Sequence, residues 1–149
     1  MWARATAERA SARDAVVIST DRSLGPEGIG LANVLYNLQV THHDAWRRLV
    51  NAFQSEFPYV TRIVFPPDPG GSRIAFAFED ARFPGRSIFA SEMSEGMVAL
   101  LGMLALTLDP DGSGTLALDE PDAHLHPSAI RTLLGIVQDV RRPRTVVLA

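Results

Sequence analysis

The last third of the chain limits the fold more than any other part, because short apolar strands alternate there with segments of helical period. Ser94 to Leu108 reads as a largely buried helix and Thr115 to Leu118 as a short strand. Ser128 to Val140 reads as another helix, with Pro127 in its first turn, and Thr145 to Leu148 as a final strand. Strands this apolar have no polar face to leave in water. They have to be covered on both sides, which predicts an α/β fold with parallel strands flanked by helices. In such sheets ligands gather at the carboxyl ends of the strands, and Asp119 and Glu120 stand at such an end.

Upstream the pattern is mixed. Residues 1–27 form a polar lead-in, apart from a short β-branched run at Val16, Val17 and Ile18 and a Gly/Pro-rich turn region from Asp21 to Gly30. Leu31, Val34, Leu35 and Leu38 keep helical spacing. After Thr41-His42-His43, Asp44 is placed to cap a second helix that carries Trp46, Leu49, Val50, Phe53 and Phe57 on its apolar stripe and ends at Pro58. These aromatics are expected in the core, and His42 and His43 in solvent between the helices. Tyr59 to Phe65 and Ser72 to Phe78 read as two strands of a small β-hairpin, with Ile74, Phe76 and Phe78 alternating as a buried face.

The chemistry concentrates in Leu116-Ala117-Leu118-Asp119-Glu120-Pro121. An apolar strand that delivers two adjacent acids to its end suits a nucleotide–Mg²⁺ site. The first carboxylate holds the hydrated metal, and the second polarises the attacking water. The plainer alternative is a strand that ends in a solvated acidic turn. Ser91-Glu92-Met93-Ser94-Glu95-Gly96-Met97 opens the preceding helix, and a serine and glycine there offer a hydroxyl, backbone N–H groups and the positive dipole end to a phosphate. The plainer alternative for Ser94 is an ordinary N-cap. Downstream, Pro121-Asp122-Ala123-His124-Leu125-His126-Pro127 turns into the next helix.

In order and spacing these three pieces resemble the ATP-binding-cassette ATPases of the RecF, SMC and OLD-nuclease branch, in particular its "predicted ATPase" members with a Walker B of the form L-L-D-E-P-E-x-x-L-H-P. Met93-Ser94-Glu95-Gly96-Met97 is similar to the S-[DE]-G form of that family's signature motif, and Gly30-Leu31-Ala32-Asn33-Val34-Leu35 to its G-x-N-L-x-x-x-L segment. The resemblance spans residues 28–149. It implies part of a P-loop NTPase head with ATP and Mg²⁺ as cofactors. Asp119 would act on the metal through water and Glu120 as the general base. Ser94, Glu95 and Gly96 would face the γ-phosphate of ATP bound to a second head, in a homodimer or against a separate half that carries Walker A. Ala123 to His126, with His124 and His126, would form the D-loop at that interface. Thr145 to Ala149 would precede the switch histidine.

One absence bears on this. All 14 basic residues are arginine, so the chain holds no Walker A lysine to set a point charge on the β- and γ-phosphates. The expectation is therefore one half of an ATPase, inactive by itself, or else a degenerate head that only dimerises. A third alternative is an EF-hand loop from Asp109 to Glu120, with Asp109, Asp111, Ser113, the Thr115 carbonyl and Glu120 as Ca²⁺ ligands; Pro121 opposes the exit helix such a loop needs. His124 and His126 have a chelating i, i+2 spacing but no evident third ligand. A net charge of −3 gives no overall electrostatic case for nucleic acid, leaving DNA as a possible partner only through a local patch. The absence of cysteine, and an apolar stretch at Met97 to Leu108 too short to span a bilayer, fit a cytoplasmic protein without a membrane anchor.

Overall fold

The computed structural model describes residues 10–20, 24–25, 28–67, 69–112, 115–118, 123, 125–139 and 145–148. Its elements run α1 (Ala10–Arg13), β1 (Val16–Val17), α2 (Leu31–Thr41), α3 (His43–Glu56), β2 (Val60–Val64), β3 (Arg73–Ile74), β4 (Ala77–Asp80) and β5 (Ser87–Phe89). A 3₁₀ turn (Ala90–Glu92) then leads into α4 (Glu95–Leu108), β6 (Thr115–Leu118), α5 (Pro127–Asp139) and β7 (Thr145–Leu148). This is a mixed α/β structure with three small sheets. β1 pairs antiparallel with β3, and β2, β4 and β5 form an antiparallel sheet in that order. β6 and β7 run parallel in register Thr115↔Thr145 to Leu118↔Leu148, and no larger parallel sheet forms among the described residues.

The core is organised around α4. Its sequence is apolar on every face, so the helix is stable only when surrounded. It packs against α2, α3, α5 and β6. Leu100, Leu101 and Leu104 are fully buried there, together with Leu35, Leu49 and Phe53 from the two preceding helices. Each such side chain contributes about 1.5–3 kcal/mol by leaving water. Thr107 is a buried polar residue of α4, and its hydroxyl donates to the Met103 carbonyl at 2.7 Å. No helix among the described residues is long and apolar enough to cross a membrane.

Several local expectations are corrected. Asp44 does not cap α3. His42 alone separates α2 from α3: its N–H donates to the Leu38 carbonyl at 3.0 Å and its own carbonyl accepts from Trp46 at 2.9 Å. Asp44 falls inside the first turn instead and pairs with Arg47 at 3.0 Å. The expected strand Ser72 to Phe78 is split into β3 and β4, because its two halves pair with different partners, β1 and β2. Ile74, Phe76 and Phe78 are buried as the alternation requires, but Ala77 is buried as well, since β4 is the central strand of its sheet.

The lead-in is also packed where it is described. Ala12 is buried, and Arg13 donates to the carbonyls of Ala90 at 2.9 Å and Met93 at 2.5 Å. Gly28 permits this approach. It has φ +81, and an added Cβ would lie 2.9 Å from the Ala12 Cβ. Asn33, buried within α2, ties the chain after β1 to the same face. Its amide donates to the Val17 carbonyl at 2.8 Å and to the Ser19 hydroxyl at 3.1 Å.

Candidate functional site

The start of α4 is built by a local capping rule. Ser94 stands in extended backbone, and its Oγ accepts the Met97 N–H at 3.3 Å, so the hydroxyl proton is not used by the cap. The N–H groups of Glu95 and Gly96, at the first helical positions, have no acceptor inside the helix. Together with the dipole they form a donor set oriented along the axis of a 14-residue helix. Ser94 and Glu95 are exposed and Gly96 is half-buried. The turn that presents them is held from behind by Arg13, and Glu92 accepts from Arg86 at 2.7 Å and from the Phe89 N–H at 3.0 Å.

Beside this helix start lies a cavity of about 250 Å³. Gly96 lines one side, and Leu125, His126 and Ser128 line another, with Glu56 and Phe57 from the end of α3 and Ala129 completing the wall. The fold thus brings Gly96 of the serine-glycine motif next to the loop before α5. His126 acts there as a cap: its Nδ1 accepts the Ser128 N–H at 3.3 Å and lies 2.9 Å from the Ser128 Oγ. Pro127 follows at the first helical position, where its missing N–H costs nothing.

Glu56 is the acidic wall of the cavity. Burial pushes its carboxyl up, but hydrogen bonds from Ser128 and Thr132, aided by the charges of His126 and Arg131, outweigh this and hold it below the usual glutamate range. The Thr132 hydroxyl donates to its Oε1 at 2.6 Å. Nothing in the sequence near Glu56 signals this role, because its partners lie on α5. A carboxylate here makes the inner wall of the cavity acidic.

Asp119, Glu120 and His124 lie outside the described residues, as do Ser113, Gly114, Pro121 and Asp122. β6 ends at Leu118, which is buried. Of the stretch read as an EF-hand alternative, Thr115 to Leu118 are extended in the parallel β6–β7 ladder, and the next helix among the described residues starts at Pro127. The first half shows a different feature. Asp109 and Asp111 face His42, whose Nε2 is 3.1 Å from the Asp111 Oδ2. His42 thus lies between the helices as the sequence suggested but is half-buried and paired, whereas His43 is exposed.

A family model described as "AAA domain, putative AbiEii toxin, Type IV TA system" matches residues 46–149, from the first turn of α3 through β7. No match was found among curated proteins. The matched stretch is more than half of the chain and contains α4, β6 and α5. The chain belongs to this family of AAA domains, a nucleotide-binding, ATPase-like class.

Proposed function

From its membership of this AAA-domain family, we propose that the chain is the signature and Walker B half of an ATP-hydrolysing head of the ATP-binding-cassette type, acting in the cytoplasm. One observation supports this reading above the others. Gly96 of the helix start and the Leu125-His126 turn are far apart in sequence, yet they line one cavity. An assembly that reads the γ-phosphate of a partner's nucleotide needs those two elements adjacent.

The donor set fits a phosphoryl group. Ser94 Oγ–H and the N–H groups of Glu95 and Gly96 would contact terminal phosphate oxygens, and Asp119 would hold Mg²⁺ through its water shell. Bound MgATP supplies the phosphoryl group to be transferred. Glu120 accepts the proton of the attacking water as its oxygen bonds to phosphorus and the bridging oxygen leaves with ADP. The lysine that cradles the β- and γ-phosphates comes from another polypeptide segment, because none of these 149 residues is lysine. Hydrolysis therefore requires a second head or a Walker A half, and the Leu125-His126 turn would lie at their contact.

The test is to purify the native assembly through a tag on this chain and to compare its Mg²⁺-dependent ATP turnover with that of Glu120→Gln. Loss of a general base lowers the rate by about 100-fold or more, and the variant should accumulate ATP-bound dimers. Equal turnover in both proteins overturns the role of Glu120. A chain that purifies with partners but never hydrolyses ATP is instead a degenerate, purely dimerising head.

A further inference from the structure

At the opposite end of α4 from Ser94, roughly 20 Å along the helix at 1.5 Å per residue, three metal-ligating side chains converge. They are His42 from the break between α2 and α3, and Asp109 and Asp111 from the turn after α4. One ligand atom from each can be chosen so that all three lie within 4.8 Å of one another. We propose that His42, Asp109 and Asp111 form a binding site for one borderline divalent transition-metal ion of the Zn²⁺ class, which staples the α2–α3 corner to the turn that feeds β6.

The proposal rests on the donor set and on how it is held. One imidazole nitrogen and two carboxylates supply mixed N/O ligation and two negative charges, which suits Zn²⁺ or Mn²⁺; Ca²⁺ and Mg²⁺ take oxygen-only sets. The imidazole belongs to a segment 69 residues away from Asp111, so the trio is assembled by tertiary packing and is not a run of neighbouring acids. The backbone at two of the ligands is fixed before any ion arrives. His42 is hydrogen-bonded on both sides, to Leu38 and from Trp46. Asp109 closes α4 by donating its N–H to the Ala105 carbonyl at 2.9 Å, and its carbonyl accepts from Gly112 at 3.2 Å. The Asp109 Oδ1 also accepts the Asp111 N–H at 3.1 Å, which turns the second aspartate toward the first.

The Asp111 side chain is 62% exposed and that of His42 23%, so the site opens to solvent on the Asp111 side. An ion held there by three protein ligands would keep water in its remaining positions. Such a clip would tie the entry to β6, the strand whose end carries Asp119 and Glu120, to the two-helix corner. It is independent of the nucleotide reading, since none of its ligands belongs to the α4 start.

The test is calorimetric titration of the EDTA-stripped 149-residue chain with Zn²⁺ and, separately, with Ca²⁺, followed by thermal melts with and without each ion. One Zn²⁺ should bind per chain and raise the melting temperature, while Ca²⁺ should do neither. Asp111→Asn keeps side-chain volume at an exposed position and should leave the metal-free fold intact by circular dichroism. It should weaken Zn²⁺ by about 10-fold or more, and His42→Ala further still. Absence of Zn²⁺ binding, or binding unchanged in Asp111→Asn, overturns the site. Saturable Ca²⁺ binding that survives His42→Ala would overturn it in favour of an all-oxygen loop.

Discussion

The guanidinium of Arg13 donates to the backbone carbonyl of Met93 at 2.5 Å, across 80 residues of sequence, one position before the serine that caps α4. A second bond, to Ala90 at 2.9 Å, brackets the 3₁₀ turn between them. The orientation of the α4 start is thus set from outside the family-matched region, by the short helix α1.

Arg13→Ala should therefore destabilise the chain by about 1.5–3 kcal/mol, the range for hydrogen bonds to a charged donor. Arg13→Lys should recover only part of this, because a single ammonium cannot reproduce the planar fork. Urea unfolding of the three proteins measures the difference. A cost near zero for Arg13→Ala would mean that α1 is not docked in solution.

Ser94 has two separable duties. Ser94→Ala removes the cap and should cost about 1 kcal/mol. Ser94→Asp keeps a capping oxygen and satisfies the helix dipole, so stability should be retained or raised slightly. The aspartate nonetheless places a negative charge where the hydroxyl would meet phosphate. In the purified assembly it should abolish ATP turnover despite a sound fold, and retained turnover would leave Ser94 as a cap alone.

The carboxyl of Glu56 is held below its ordinary value, so its folded-state pKa lies under the unfolded one. The stability it contributes is fully present above the unfolded value, near pH 4, and is lost as pH falls from there through the lowered folded value. Asp80 adds to the same trend, held down by the hydrogen bonds it accepts from Arg82. Thr132→Val should flatten the acid limb of a stability–pH curve while leaving the alkaline side unchanged in shape. An acid limb identical to wild type would show that Thr132 does not stabilise the charged form.

Leu101 is fully buried at the centre of α4. Leu101→Ala should cost about 2–5 kcal/mol through lost transfer energy and the cavity left behind. Chemical denaturation with an unchanged m-value would mark this as a pure packing loss. A cost below that range would indicate that the core around α4 collapses to fill the space.

What could be read from sequence alone is what neighbouring residues settle among themselves. Ser94 begins α4 because a hydroxyl at that position caps the third N–H that follows it, and Pro127 opens α5 because a fixed φ and a missing N–H suit a first turn. The β6 and β7 stretches could be read as strands because each is an apolar run too short for a helix that follows a segment of helical period. Tertiary structure decided every relationship that spans the chain. It split Ser72 to Phe78 into β3 and β4, because strand partners are chosen by sheet assembly and not by alternation. It set Glu56 against Thr132 across 76 residues and His42 against Asp111 across 69. A histidine after one helix and two aspartates after another carry no mark of their meeting. Their proximity is produced by the burial of α4 against α2 and α3, a free-energy term shared by the whole core, and no local pattern encodes it.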